Sequence, residues 1–145
     1  MTCKLTISLL SESQQGNIGD DWKYQIDIKV FNQGLAGHGV IDVAKHNLAS
    51  GTTQAPPNGT ESVIIDAGEA GNELLVRLTL NATEVDFLKS DRGETQLNMH
   101  MPSPSPGAAP ISREIELSVG VRESPGLMDE TAILSLQLKL VASAE

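Results

Sequence analysis

The side chains of this sequence that could most readily do chemistry are carboxylates, which gather between its apolar segments. Carboxylate oxygens are the ligands that calcium prefers, and the ion takes roughly six to eight of them. No single short segment supplies that many, so a site requires several acidic loops to meet. The residues that fit this requirement best are Asp20, Asp21, Asp86 and Asp91.

Whether these acids can meet depends on the elements between them. If strands alternate in direction, the loops after odd-numbered strands lie at one end of the fold. Three of those loops carry most of the loop acids, namely Glu12, Asp20, Asp21, Glu84, Asp86, Asp91, Glu94, Glu123, Asp129 and Glu130. Two interpretations remain open: the acids form a calcium site, or they are a solvated surface because loops are exposed to water.

The elements follow from the alternation of apolar and polar residues. In segment 134–140 every second residue is leucine, so all four leucines point to one side of a β-strand. The same period predicts eight strands, over residues 3–9, 24–30, 40–48, 62–65, 74–80, 95–101, 111–121 and 131–141. We therefore predict an all-β fold, a single-domain antiparallel β-sandwich over residues 1–145. The strand pattern does not distinguish two packed sheets from one closed barrel.

Segments without alternation are predicted to connect the strands. Residues 11–21 are polar and contain glycine, which is typical of a loop. Residues 102–110 contain four prolines and are predicted to leave the sheet, since proline cannot donate a ladder hydrogen bond. Segment 83–86 has the pattern of a capping box, which predicts a short helical turn near residues 84–89.

The histidines suggest metal ligands but are spaced unfavourably. In a strand, His38, Asp42 and His46 would lie about 13 Å apart from one to the next, at roughly 3.3 Å per residue, too far for one ion. We therefore interpret them as solvated side chains, unless a bulge or a helix intervenes. His100 lies between two methionines in segment 99–101, but in a strand it points away from both. Core methionines beside an exposed histidine are the favoured interpretation.

Trp22 and the segment 34–39 have structural and functional interpretations. Trp22 follows two aspartates where a loop meets a strand, so it could anchor a protein partner or close one end of the core. We favour the core position. Segment 34–39 is rich in glycine, but it joins two predicted strands rather than a strand and a helix. A flexible hairpin is therefore favoured over a phosphate-binding loop.

The segment Glu84-Val85-Asp86-Phe87-Leu88-Lys89-Ser90-Asp91-Arg92-Gly93-Glu94 resembles the calcium loop of synaptotagmin-type membrane-targeting β-sandwiches. The resemblance lies within residues 74–101, about a fifth of the chain. It implies an eight-stranded sandwich with calcium ligands at Asp86 and Asp91, and acids of an earlier loop at Asp20 and Asp21. The sequence departs from the family in having Glu84 where an aspartate is usual, and in lacking a basic strand or an apolar loop tip.

Composition restricts the classes of partner. The formal charge is −9 and the basic residues are scattered singly, which argues against binding to nucleic acids and to anionic membranes. Cys3 is the one cysteine, and neither a secretion signal nor a transmembrane run of about 18 apolar residues is visible. A cytoplasmic location is therefore expected.

No sequence motif identifies a reaction. The leading hypothesis is a non-catalytic interaction or assembly module that presents loops or a strand edge to a protein partner or to copies of itself. The alternative is a calcium-dependent binding module that uses the acidic loops. A small enzyme without a recognisable motif is the third hypothesis, and a catalytic role is expected less than a binding role. No other cofactor is predicted.

Overall fold

The computed structural model describes residues 1–57, 62–86, 90–123 and 130–145. These residues form nine strands and no helix, and therefore contain no helix that could cross a membrane. The strands are β1 (Thr2–Gln15), β2 (Asp21–Phe31), β3 (Leu35–Asn47), β4 (Thr53–Gln54), β5 (Ser62–Glu69), β6 (Glu73–Val85), β7 (Ser90–Pro102), β8 (Ile111–Arg122) and β9 (Thr131–Ala144).

The strands form two antiparallel sheets that pack face to face. In sheet A, β1 pairs with β9, β9 pairs with β8, and both β4 and β5 pair with the opposite edge of β1. Sheet B has the order β3-β2-β6-β7. The predicted β-sandwich is confirmed, with two separate sheets rather than one closed sheet. The additional strand is β4, which has two residues and lies in a segment predicted as a loop.

The aliphatic core lies between the sheets. All four alternating leucines of β9 are buried with no exposed surface, while the side chain of Gln137 between them is exposed. Aliphatic residues on other strands are also buried, namely Leu5, Ile7, Ile26, Ile28, Leu78 and Leu117. The period of two therefore predicted both the strands and the face of each strand that turns inward.

A β-bulge in β1 makes the prediction of a loop over residues 11–21 wrong in its first part. The strand continues to Gln15, and its register with β9 shifts between Leu9 and Ser11. The shift leaves Leu10 exposed and reverses the alternation, so that Glu12 and Gln14 point into the core. The sequence looked like a loop because polar residues occupy these inward positions.

The predicted helical turn near residues 84–89 is wrong where it can be compared with the structure. Glu84 and Val85 are the last residues of β6, in register with Asp91 and Ser90 of β7. Residues 87–89 lie outside the described part of the chain. In the hairpin of β6 and β7 the backbone groups of these residues form ladder hydrogen bonds, so the capping pattern does not start a helix here.

Glycines allow the two sheets to meet closely at their edges. A Cβ on Gly37 would lie 2.1 Å from the carbonyl oxygen of Asp66 on β5, and one on Gly93 would lie 2.4 Å from the carbonyl oxygen of Gly120 on β8. Any larger residue would push these strands apart. The glycines of the 34–39 segment therefore serve close packing of β3 on β5, a role that the hairpin prediction missed.

The proline-rich connection between β7 and β8 leaves the sheet as predicted, but its first residues are fixed. Ser103 is buried, and both its backbone N–H and its hydroxyl donate to the carbonyl of Asn72, at 2.9 and 2.6 Å. Pro104 is also buried. The freely exposed part of the connection therefore begins at Ser105.

Candidate functional site

The start of β2, the end of β6 and the start of β7 lie side by side at one end of sheet B. In the ladders, Trp22 is opposite Glu84, and Glu84 is opposite Asp91. This register confirms that the loop before β2 and the loop between β6 and β7 share one end of the sandwich. Acidic residues from both loops can therefore meet there.

Glu84 is the central residue of this end. Its side chain points between the sheets and is only 3% exposed, and its Oε2 atom has no hydrogen-bond partner. Burial, followed by the charges of nearby carboxylates, raises the pKa of Glu84 to about 7. The carboxylates that act on it are Asp86, Asp91, Asp21 and Glu123. We call these four residues and Glu84 the acidic end.

The structure brings together three of the four acids that the sequence predicted as metal ligands. Asp21 and Asp86 are exposed, whereas Asp91 is buried at 7% exposure. Asp20 is exposed, and its carbonyl accepts the backbone N–H of Leu48 at 2.7 Å. Its carboxylate is not among the charges that raise the pKa of Glu84. Glu84 and Glu123 complete the cluster instead.

The acidic end does not form a closed coordination sphere. Within the described ranges, no three His, Cys, Asp or Glu side chains are placed so that together they could hold a metal ion. The donor chemistry nevertheless suits a hard cation, because all five residues of the acidic end carry carboxylates and Glu84 has a buried oxygen without a donor. The arrangement is that of one buried carboxylate whose charged form is disfavoured by four others.

A second buried carboxylate, Glu12 of β1, lies in a complete hydrogen-bond network. Its Oε1 accepts the Tyr24 hydroxyl at 2.6 Å, and its Oε2 contacts His46 Nε2 at 2.6 Å and Gln54 Nε2 at 2.8 Å. Glu12 has no exposed surface. Burial, and then the bond to Glu12, raises the pKa of Tyr24. The network therefore joins β1, β2, β3 and β4 through side chains.

The contacts of His46 fix the orientation of its ring. Its Nδ1 is 2.9 Å from the carbonyl oxygen of Ala44, and its Nε2 is 2.6 Å from Glu12 Oε2. The ring therefore bridges a backbone carbonyl and a buried carboxylate. The predicted solvated position of His46 is wrong: its side chain is 15% exposed.

Gln14, two residues after Glu12 on β1, binds two loops at the same end of the sandwich. Its side-chain Nε2 is 3.0 Å from the carbonyl oxygens of both Gly19 and Leu48, while its Oε1 is buried without a partner. Gly19 also accepts the indole N–H of Trp22 at 3.2 Å. The loop between β1 and β2 is thus fixed to the segment that follows β3.

Trp22 is fully buried beside this loop, which supports the interpretation that it closes the core rather than anchors a partner. His38 is half-exposed and contacts the carboxylate of Asp27 at 2.5 Å. His100 is exposed between buried Met101 and partly buried Met99, as predicted. None of these residues belongs to the acidic end.

Sequence reasoning missed the inward positions of Glu12, His46 and Glu84. Two of them follow bulges: one in β1 at Leu10, and one in β3, where two residues lie opposite Lys23. Their signal in the sequence is weak, because a bulge reverses the alternation without a residue type that marks it. Glu84 carried a clearer signal, since its position continues the inward phase of the leucines of β6.

Comparison with models of known protein families finds no match to this chain, and comparison with curated proteins finds none either.

Proposed function

We propose that this protein is a non-catalytic binding module whose acidic end takes up a divalent cation of the calcium type. The observation that carries the proposal is the orphan oxygen of Glu84, buried among four other carboxylates. A buried polar atom without a partner costs about 1–3 kcal/mol, and more when the group is charged. A cation would remove that cost and the mutual repulsion of the acids together.

The residues proposed to hold the cation are Glu84, Asp86 and Asp91, with Asp21 and Glu123 nearby. Because the described carboxylates are not placed as a ready-made site, cation binding would have to draw them together. They come from strand ends rather than from one continuous loop, so cation binding would join β2, β6, β7 and β8 at this end. When bound, the cation supplies positive charge and open coordination positions for oxygen groups of a partner. The resemblance of segment 84–94 to synaptotagmin-type calcium loops supports the same assignment.

Gln14 supports the proposal by fixing the base of the site. Gln14 holds Gly19 from below, and a Cβ on Gly19 would lie 2.0 Å from Glu84 Oε1, so the glycine backbone packs against that carboxylate. The loop beside Glu84 is therefore held in place without a cation. A prearranged base reduces the entropy that binding must offset.

The proposal is tested by thermal unfolding of chelator-treated protein with and without millimolar calcium. A ligand at about 100 times its dissociation constant stabilises by about 2.7 kcal/mol, which for this chain length raises the Tm by roughly 5–10 °C. The rise should reverse with chelator and disappear in the double variant Asp86→Asn, Asp91→Asn. The matched control is Glu114→Gln, an exposed acid on the outer face of sheet A.

Two results would contradict the proposal. One is a wild-type Tm that calcium does not change. The other is a double variant that is folded and still shows the full rise.

A second candidate function, association with copies of itself or with another protein, is favoured by exposed apolar side chains. Ile64 on β5 is 68% exposed and Leu35 on β3 is 64% exposed, on two strands that meet at one corner of the sandwich. The solution mass, measured with and without calcium, tests it. A mass above the monomer that falls to the monomer in Ile64→Ser would support self-association. A monomer under both conditions would exclude self-association.

A further inference from the structure

The outer face of sheet B carries a concave groove, on the side of the sheet opposite to the inward-pointing Glu84. It has a volume of about 380 Å³ and is lined by residues of β2, β3 and β6. Its polar side chains are Lys23, Gln25, Asp42, Lys45, Asn81 and Thr83. The volume lies within the range of roughly 300–1,000 Å³ that is usual for small-molecule sites.

The groove is produced by the local strand geometry. Between Trp22 and Tyr24 the register of β2 and β3 shifts, so that Ala44 and Lys45 both lie opposite Lys23. Both of these β3 residues are exposed, whereas the next one, His46, turns inward. The bulge therefore places a second lysine beside Lys23 on the outer face and leaves the small Ala44 at the groove wall.

Next to the two lysines on the same face of the sheet, a row of hydrogen-bonding side chains crosses the groove. Gln25 is opposite Asp42 on one side and Asn81 on the other, so the three side chains lie on adjacent strands about 4.8 Å apart. Amide and carboxylate groups in such a row can each form paired hydrogen bonds with neighbouring hydroxyls.

The polar groups of the groove differ from those elsewhere on the same face. Farther along the sheet, Asp27 pairs with His38, and Arg77 donates to Asn98 at 3.0 Å while lying over Phe31. In the groove, none of the six polar side chains forms a side-chain hydrogen bond or an ion pair within the described chain. Their full donor and acceptor capacity is available to a ligand.

The charge of the groove selects among polar ligands. Two lysines and one aspartate give it a net charge of +1 in a protein whose formal charge is −9. A singly charged carboxylate matches this balance, whereas a doubly charged phosphate would meet both Asp42 and the field of the whole protein. The groove lining contains one aromatic residue, Tyr24, whose ring is buried, so recognition would depend on hydrogen bonds rather than on ring stacking.

We propose that this groove binds a sugar acid, with the carboxylate between Lys23 and Lys45 and the ring hydroxyls on the row formed by Asp42, Gln25 and Asn81. The site is open to solvent, so one acidic unit within a longer polysaccharide could occupy it as well as a free monosaccharide. The proposal is independent of the cation at the acidic end, which lies at the end of the sandwich.

The test is a titration followed by backbone amide NMR shifts, in chelator so that no cation contributes. The probes are D-glucuronate and digalacturonate, with D-glucose, acetate and inorganic phosphate as comparisons. We expect saturable shifts at residues 23–25, 42–45 and 81–83 with both acidic sugars. Tighter binding of digalacturonate would indicate a polysaccharide source, and equal binding a free sugar acid.

Paired variants locate the site. Lys45→Met keeps the aliphatic stem but removes the charge, and it should weaken glucuronate binding about tenfold or more, as expected for the loss of a charge-assisted bond. Asn81→Ala removes one neutral hydrogen-bonding group and should weaken binding about fivefold. The matched controls, Lys29→Met and Asn98→Ala, lie on the same face outside the groove and should bind as wild type. Amide spectra of all four verify that they are folded.

Several outcomes would overturn the proposal. Binding of glucose equal to that of glucuronate would remove the role of the lysines. Binding of acetate or phosphate equal to that of glucuronate would show an anion site without sugar recognition. Equal losses in the control variants would place binding elsewhere, and an absence of saturable shifts with both acidic sugars would show that the groove is only a solvated surface.

Discussion

Glu12 and Glu84 are both buried carboxylates, and they lie near the same end of the sandwich. Glu12 has three donors around its two oxygens, from Tyr24, His46 and Gln54. Glu84 has a buried oxygen without a donor, and acids surround it. The difference separates two roles that burial alone would not distinguish: a satisfied carboxylate stabilises the fold, whereas an unsatisfied one can bind a ligand.

The largest expected effect is at the satisfied carboxylate. Glu12→Ala should lower the free energy of unfolding by about 3–5 kcal/mol, because it leaves the Tyr24 hydroxyl, the His46 ring and the Gln54 amide without their shared acceptor. Urea unfolding measures the loss. Glu94→Ala, an exposed acid on β7, should change stability by less than about 0.5 kcal/mol. Equal effects at the two positions would show that the network does not stabilise the fold.

A change in the free energy of unfolding of the opposite sign is expected at the unsatisfied carboxylate, Glu84. Glu84→Gln should raise the free energy of unfolding at pH 8 by about 1–2 kcal/mol, because it removes a charge from a buried position among other acids while partial solvent screening limits the gain. The measurement is the same urea titration in chelator. A destabilised Glu84→Gln would mean that the carboxylate has a favourable partner after all, and would remove the contrast with Glu12.

The raised pKa of Glu84 also predicts how stability depends on pH. Since the folded pKa is about 7 and the ordinary value is 4.5, the unfolded chain releases the Glu84 proton at lower pH than the folded chain. The contribution of Glu84 to the free energy of unfolding should therefore decrease as pH rises from about 4.5 through about 7. The difference between wild type and Glu84→Gln, measured across this range without calcium, isolates it. A pH-independent difference would contradict the prediction.

The smallest effects distinguish the neighbours of Glu84 from one another. Asp86 contributes more than Glu123 to raising the pKa of Glu84. Asp86→Asn should therefore lower that pKa further than Glu123→Gln does. NMR titration of the Glu84 carboxyl carbon measures both. The reverse order would show that the Glu84 carboxylate lies closer to Glu123 than to Asp86.

The sequence predicted the inward face of regular strands well and failed where the alternation is reversed. The leucines of β9 and the aliphatic residues of β2 and β6 face the core as predicted, because burial of apolar surface enforces a period of two. Glu12 and His46 follow bulges, which no local residue pattern announces, so both appeared to be solvated. Their burial depends on partners distant in sequence, and only the folded chain brings those partners together.

The candidate site was predictable in part for the same reason. Asp21, Asp86 and Asp91 were placed at one end by strand direction alone, which the register confirms. The role of Glu84 depends on the depth of its side chain and on Gly19, whose missing Cβ leaves space for the Glu84 carboxylate. The spacing of residues in the sequence reveals neither the depth of the Glu84 side chain nor its contact with Gly19.

The most direct test of the contrast is proton release during calcium binding at pH 7. With a pKa of about 7, Glu84 carries about half a proton at that pH, and a bound cation would displace it. Calorimetric titrations in buffers of different ionisation enthalpy should therefore show release of up to about half a proton per calcium in wild type and a clearly smaller release in Glu84→Gln. Calcium binding with the same proton release in both proteins, or no calcium binding by the wild type, would contradict the assignment of Glu84 as a carboxylate that binds the cation.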